Sequence, residues 1–230
     1  MALTSKNTMK KLFTVAGSLA LFLGLGLCGQ AADSVMLTSK PGSKMRLEGT
    51  STIHDWQAEC PFIGGYVEAG ANFPLEPGQA ATAGKIDAKV DMFITVRSLK
   101  SIEKDGKLYS DKMDEIMWEK FKAPQSPKIQ YRLSELTLKE PAASKDAPYT
   151  CEAKGELTVA GVTNKLTMPV QITPMGDKKV KISGTTTVKM TDFKIEPPNP
   201  LGLGIKTGDD VKLIFTWMLA QKPAAAAAAK

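Results

Sequence analysis

The chain has 230 residues, with 30 lysine and arginine residues against 24 aspartate and glutamate residues and a formal charge of +6. This length suits one ordinary domain with tails, or at most two small domains. The basic residues form no clustered stripe, so nucleic acid is not an expected partner. The single histidine excludes a metal site built from several histidines.

The N-terminal segment has the three parts of a secretory signal peptide, which we predict over residues 1–32. Three lysines precede an apolar run at residues 12–27, and a small-x-small exit follows at Gly29 and Ala31. The run is shorter than the roughly 20 residues of a membrane-spanning helix, so a retained anchor is the weaker interpretation. Lipidation at Cys28 is also weaker, because a bacterial lipobox places a small residue before the cysteine and here a leucine precedes it.

Removal of this leader takes three lysines and no acidic residue from the chain, so the mature protein has a formal charge of +3. We therefore predict a periplasmic or secreted protein with no transmembrane anchor after processing. Two cysteines then remain, Cys60 and Cys151. In an exported chain they either pair as a disulfide or pack as two small buried hydrophobic residues, and both interpretations stay open.

Alternation of apolar and polar residues begins at Ser43 and marks the first strands of a sheet. An early strand places His54 and Trp56 on one face, and residues 63–71 form a second strand candidate. The longest alternation follows at residues 85–97. Its apolar face comprises Ile86, Ala88, Val90, Met92, Ile94 and Val96. Such a strand would be roughly 40 Å long, which favours a tilted barrel over a flat sheet.

One segment interrupts the strand pattern and predicts a helix. Ser110 or Asp111 is suited to cap it, and it continues to Phe121 before a proline ends it. Three-four spacing gives the helix one apolar face, formed by Met113, Ile116, Met117 and Phe121. Strands resume at residues 128–138, where the alternation changes phase by one residue and indicates a bulge near residues 134–135.

The clearest hairpin occupies residues 151–172, because both halves alternate strictly between apolar and polar positions. The apolar faces are Cys151, Ala153, Gly155, Leu157 and Val159 in the first half, and Leu166, Met168, Val170 and Ile172 in the second. Between the halves we expect a five-residue connection at residues 160–164, in which Gly161 and Asn164 tolerate positive φ. A hairpin is not stable alone, so its apolar face must meet further strands.

Two more alternating strands follow at residues 180–190 and 211–219, before a low-complexity alanine-rich tail at residues 221–230. The chain thus has about eight strands with hairpin-length connections and one short helix, which predicts an all-β protein with an antiparallel sheet. A sandwich and a closed barrel both satisfy this pattern. The long strands favour the barrel, because closure removes exposed strand edges.

Four segments, in chain order, together carry a resemblance to a known family. They are residues 49–56 with the sequence GTSTIHDW, residues 98–127 with a loop, a helix and a proline before a strand, residues 155–163 with the sequence GELTVAGVT, and residues 189–195 with the sequence KMTDFKI. In this order they resemble the YceI-like family of exported isoprenoid-binding proteins. A glycine more often stands in that family at the position of Lys194.

The resemblance spans residues 43–220 and implies an eight-stranded antiparallel lipocalin-like barrel, whose apolar lumen holds the tail of a long isoprenoid lipid. An eight-stranded barrel either fills its interior with side chains or encloses one slim ligand. Small inward residues such as Ala88, Ala153, Gly155 and Gly184 leave space and favour the ligand. The lumen contacts that we predict are Ile86, Ala88, Val90, Met92, Ile94, Leu157, Val159, Leu166, Met168, Val170 and Trp217.

A pyrophosphate or quinone head group is expected at the rim, because an unpaired polar group is costly in a dry lumen. The predicted rim contacts are His54, Trp56, Arg97 and Trp118. The helix should cover one mouth of the barrel, as a gate or as a fixed plug. Catalysis has little support, because His54 and Asp55 are neighbours on a predicted strand and point to opposite faces. We predict no catalytic residues, no metal and no cofactor beyond a bound lipid.

The predicted barrel is compatible with two functions from different classes. The first is a non-enzymatic protein that binds, carries or sequesters an isoprenoid lipid, such as a polyprenyl phosphate or a quinone, in the cell envelope. The second is a filled barrel that binds another envelope protein or serves as a stress-related structural module. A homodimer is compatible with either function.

Overall fold

The computed structural model describes residues 34–199, 204 and 206–222. The predicted signal peptide and all but the first two residues of the alanine-rich tail lie outside this part of the chain. The strands are β1 (Val35–Ser39), β2 (Lys44–Ser51), β3 (Trp56–Cys60), β4 (Gly64–Ala69), β5 (Gly84–Ile86), β6 (Ala88–Thr95), β7 (Lys100–Ile102), β8 (Lys128–Glu140), β9 (Tyr149–Val159), β10 (Val162–Pro174), β11 (Lys179–Lys189) and β12 (Thr207–Gln221). The helix α1 spans Asp111–Lys120, and single 3-10 turns lie at Val96–Ser98 and Thr191–Phe193.

Eight strands close into an antiparallel barrel in the order β1, β4, β6, β8, β9, β10, β11 and β12. The last pairing of the ring joins β1 to β12, where Leu37 lies opposite Gln221 and Ser39 lies opposite Leu219. This closed barrel with a single α-helix among the described residues confirms the predicted fold class. Closure depends on β1, whose five residues precede the first strand signal of the sequence analysis.

Three further strands widen one end of the barrel. β12 pairs with β1 near its last residues and with β2 over its first part. β2 then pairs with β3, and β3 pairs with β7. Since α1 contacts β7, these elements form a layer of β3, β7 and α1, which we call the cap.

The longest predicted strand is two strands, β5 and β6, that separate at Asp87. The side-chain amide of Asn72 donates to the Lys85 carbonyl at 2.9 Å, and its oxygen accepts from the Asp87 amide at 2.8 Å. These backbone groups therefore bond a side chain instead of a neighbouring strand. The prediction of one strand over residues 85–97 is wrong for this reason, and Val96 lies in a 3-10 turn.

The β9–β10 hairpin has a two-residue turn in place of the expected five-residue connection. Ala160 and Gly161 have φ values of +50° and +81°, and Val162 already pairs with Val159. Two successive left-handed residues match the right-handed twist of the flanking strands. Asn164 lies in β10 opposite Leu157 of β9 and has no positive φ. The prediction that it belongs to the connection is therefore wrong.

The predicted bulge and the predicted helix are confirmed. The register between β8 and β9 shifts between Leu133 and Glu135. The helix begins after Ser110, whose Oγ accepts a hydrogen bond from the Met113 amide at 3.4 Å. This bond satisfies one of the amide groups that a helix N-terminus leaves without a partner.

One half of the barrel is filled with side chains. Trp217, Tyr149 and Phe73 are the largest fully buried residues, and the Trp217 indole donates to the Ser39 hydroxyl at 2.7 Å. Cys151 is also buried and, like Cys60, carries a free thiol. The two cysteines are therefore small buried hydrophobic residues, and burial raises the pKa of the Cys151 thiol to about 12.

Candidate functional site

The other half of the barrel encloses a cavity of about 1010 Å³. This volume lies at the upper end of the roughly 300–1,000 Å³ that ligand sites occupy. The strands of the wall contribute Met45, Leu47, Met92, Ile94, Ile129, Tyr131, Leu157, Val159, Val188, Val211 and Leu213, and the cap contributes Trp56, Ala58, Ile102, Met113, Ile116 and Met117. The wall away from the open end is therefore mostly apolar, and the barrel is only half filled.

Tyr131 marks the inner end of the cavity. Ile129 and Tyr131 of β8 line it, whereas Leu133 further along the strand does not. Tyr131 is 4% exposed, and its hydroxyl has no hydrogen-bond partner among the described residues. Burial raises the pKa of Tyr131 to about 12, so the phenol stays neutral. Its ring lies over Gly155, where a Cβ would be 2.6 Å from the Tyr131 oxygen, so a glycine is needed there.

The helix α1 supplies the wall that closes the side of the cavity. Its apolar face lines the interior, as the three-four spacing of the sequence predicts. Asp114 on the opposite side is 3% exposed, accepts from the Ser101 amide at 2.6 Å and lies 3.0 Å from the Lys100 Nζ. The Trp118 indole donates to the Leu99 carbonyl at 3.0 Å. These bonds attach α1 to β7, so the two elements form one unit.

Charged and polar residues gather at the open end of the cavity, which we call the mouth. It is formed by His54, Asp55, the 103–109 loop, Lys120 and Lys189. Lysine and acidic residues alternate there, and Lys107 pairs with Asp105 at 2.7 Å. The mouth therefore carries nearly balanced charge.

His54 and Asp55 lie in a turn before β3 rather than on a strand. The Ser51 Oγ donates to the His54 carbonyl at 2.8 Å and accepts from the His54 amide at 3.3 Å, which holds the turn. The prediction that the two side chains point to opposite faces of a strand is wrong, since both line the mouth. The His54 ring meets Tyr109 edge to face, with centroids 5.9 Å apart.

The structure brings together only part of the predicted lumen. Met92, Ile94, Leu157 and Val159 line the cavity. Seven predicted contacts lie outside its lining, namely Ile86, Ala88, Val90, Leu166, Met168, Val170 and Trp217. Ile86, Met168, Val170 and Trp217 are buried in the core, whereas Ala88, Val90 and Leu166 are only partly buried. Alternation identifies the inward face of a strand, but the position along the barrel axis decides whether a residue meets the cavity.

The predicted rim residues divide into two pairs. His54 and Trp56 line the cavity. Arg97 and Trp118 lie outside its lining and pack on each other, with the guanidinium carbon 5.4 Å from the ring centroid. Lys100 lies against the same ring at 4.5 Å. The sequence analysis did not identify Tyr131, although a tyrosine on an apolar inward face was visible in the β8 pattern.

The described residues form neither a metal site nor a membrane-spanning helix. Over residues 34–199, 204 and 206–222, no three His, Cys, Asp or Glu side chains gather as a metal site would require. In the same part of the chain, no helix combines the length and the apolar character that crossing a membrane demands.

Solved structures of two other proteins share this fold. Burkholderia cenocepacia BcnA is 18% identical, with 78% of this chain and 96% of that chain covered and a TM-score of 0.56. A polyisoprenoid binding domain from Saccharophagus degradans, implicated in plant cell wall breakdown, is 10% identical, with 83% and 100% covered and a TM-score of 0.57. Among curated proteins no sequence matches.

The family model of the YceI-like domain matches residues 47–218. This range runs from Leu47 in β2 to Met218 in β12, and so includes the cap and all of the cavity lining except Met45. The match covers about three quarters of the chain. The chain therefore belongs to the family of YceI-like domains.

Proposed function

We propose that this protein binds a long-chain isoprenoid lipid, of the polyprenyl phosphate or quinone type, and carries or sequesters it in the cell envelope. The observation that carries the proposal is the apolar cavity of about 1010 Å³ in a half-filled barrel. Burial of an alkyl chain there gains about 0.8 kcal/mol for each CH₂ group. The signal-peptide pattern of residues 1–32 supports the envelope as the location.

The named activity of a structural neighbour supports the same ligand class. The Saccharophagus degradans protein is a polyisoprenoid binding domain, and its fold covers 83% of this chain. The inner wall of the cavity offers one titratable group, Tyr131, whose raised pKa leaves it neutral. Binding without chemistry is therefore the activity that we propose.

The head group belongs at the mouth in this proposal. Arg97 was the expected phosphate ligand, but its guanidinium lies on Trp118, outside the lining. Lys104 and Lys120 line the mouth, and neither has an ion-pair partner among the described residues. These two lysines are better placed than Arg97 to meet a phosphate, since a charged head group stays near water.

The test is organic extraction of the purified protein followed by mass spectrometry, on wild type and two variants of α1. Met117 faces the cavity and Glu119 is exposed on the same helix. We expect an isoprenoid lipid from wild type and from Glu119→Arg, and its loss from Met117→Arg, because a cation in the apolar wall opposes lipid binding. Absence of lipid from folded wild-type protein, together with failure to take up added polyprenyl phosphate or quinone, would falsify the proposal.

A further inference from the structure

Three large apolar side chains are exposed at or beside the mouth, Leu108 and Tyr109 in its loop and Ile53 next to His54 in the chain. Ile53 is 65% exposed, Leu108 is 73% exposed and Tyr109 is 44% exposed. Leu108 and Tyr109 also line the cavity. The exposed apolar surface is therefore continuous with the apolar interior.

The backbone holds these side chains in place. The Glu103 amide donates to the Lys107 carbonyl at 2.7 Å, and the Tyr109 amide donates to the Ser101 carbonyl at 2.9 Å. The His54 ring, next to Ile53 in the chain, contacts the Tyr109 ring across the mouth. The turn that carries Ile53 and the 103–109 loop that carries Leu108 and Tyr109 are thus held by hydrogen bonds and contact each other.

The chemistry of this rim fits a lipid surface. Lys104 lies in the same loop as Leu108, where its long side chain can reach phosphate groups while the leucine inserts deeper, whereas Lys107 of this loop pairs with Asp105. A tyrosine with one apolar and one polar end suits the boundary between water and acyl chains. Three apolar side chains fall far short of the roughly 20–30 residues per partner of a stable protein interface. Reversible binding to a bilayer depends instead on the apolar area that inserts and on attraction to anionic lipids, and this rim offers apolar side chains beside a lysine.

We propose that the mouth docks on a phospholipid bilayer, with Ile53, Leu108 and Tyr109 inserted and Lys104 against the phosphates. The inference rests on the proposed function, because a lipid leaving the cavity past Leu108 and Tyr109 would then enter the membrane without crossing water. Exposure of its chain to water is the cost that such docking avoids.

The test measures partitioning of the mature protein onto vesicles of phosphatidylcholine with phosphatidylglycerol, by co-sedimentation. Ile53→Asp places a charge at the rim, and Ile53 does not line the cavity. Met175→Asp is the matched control, because Met175 is 52% exposed and follows β10 at the end of the barrel away from the mouth. We expect Ile53→Asp to lower the partition constant about tenfold and Met175→Asp to leave it unchanged, with equal extractable lipid in both variants.

The outcomes separate docking from lipid binding. Equal partitioning of wild type and Ile53→Asp, or equal loss in both variants, overturns docking. Docking is also overturned if wild type does not bind vesicles but forms a dimer in solution that Ile53→Asp dissociates. That result would assign this face to a second copy of the chain. If wild type carries lipid but does not bind vesicles, docking is contradicted and the proposed function is not. If wild type binds vesicles but neither yields lipid on extraction nor takes up added lipid, only the proposed function is contradicted.

Discussion

Tyr131 and Tyr149 are both buried in the barrel, but their hydroxyl groups have different surroundings. The Tyr149 hydroxyl donates to the Gln79 carbonyl, whereas the Tyr131 hydroxyl bonds no residue in the part of the chain that the structure describes. A buried polar group without a partner is destabilising, and its removal relieves that cost. The Tyr131 hydroxyl is therefore, together with the Trp56 indole nitrogen and the Gln57 amide oxygen, a buried polar group of the cavity lining that a bound molecule is placed to satisfy.

In lipid-free protein, Tyr131→Phe should raise the free energy of unfolding by about 1 kcal/mol, because it removes an unsatisfied hydroxyl. Tyr149→Phe should lower it by about 1 kcal/mol, because it leaves the half-buried Gln79 carbonyl without its donor. Urea denaturation of both variants measures the difference. A loss of stability in Tyr131→Phe equal to that in Tyr149→Phe would show that the Tyr131 hydroxyl has a partner in solution.

Buried acids also make the stability depend on alkaline pH. Burial raises the pKa of Cys151 from 9.0 to about 12 and that of Tyr131 from 10.0 to about 12. The folded protein therefore keeps protons that the unfolded chain releases above pH 9, and the free energy of unfolding should fall as the pH rises from 9 towards 12. Urea denaturation at a series of pH values measures this. Cys151→Ala should reduce the part of the fall that begins at pH 9, and the remainder of that part belongs to Cys60, whose thiol pKa burial also raises. A free energy that stays level above pH 9 contradicts the account.

At the scale of elements, the cap differs from the barrel in how it is held. β7 has three residues and pairs with β3 alone among the named strands, while α1 is attached to β7 through Asp114 and Trp118. The barrel strands instead pair on both sides along most of their length. If the mouth opens, α1 and β7 should therefore move together.

Asp114→Ala tests this attachment. It leaves the Ser101 amide without its acceptor, and we expect a loss of about 2 kcal/mol in the free energy of unfolding. Hydrogen exchange should become faster in α1 and β7 and stay unchanged in β9. Asp111→Ala is the control, because Asp111 is an exposed acid in the same first turn. Equal exchange in the two variants would contradict the role of Asp114.

At the scale of the whole molecule, the barrel has a packed half and an open half. Trp217, Tyr149 and their neighbours fill one half, and the cavity occupies the other. The packed half supplies stability without a ligand, whereas a ligand that binds only the folded protein adds to it. A lipid bound in the cavity should therefore raise the free energy of unfolding.

Organic extraction followed by refolding gives lipid-free protein. Its midpoint of thermal unfolding should be roughly 5–10 °C lower than that of protein with lipid at about 100 times the dissociation constant. Differential scanning calorimetry measures the midpoint, and adding polyprenyl phosphate or quinone should restore it. Met117→Arg, which should not hold lipid, should have the low midpoint before extraction as well. Identical midpoints for loaded and extracted wild type contradict this expectation.

The sequence by itself determined the features that depend on neighbouring residues. Strict alternation located β9 to β12, a one-residue change of phase located the bulge before Glu135, and a serine before an apolar three-four pattern located α1. Each of these signals arises from side-chain direction or capping within a few residues. The barrel class followed because long antiparallel strands need partners on both edges.

Only the tertiary structure decided the site, because contacts between distant residues set it. β1 joins the barrel through β12, and its Ser39 meets Trp217 across 178 positions of the chain. The side chain of Asn72 divides one alternating segment into β5 and β6. Met92 and Val90 share a face of β6, yet only Met92 meets the cavity. Alternation records the face of a strand, whereas the depth at which large side chains fill the barrel depends on which residues from other strands meet there.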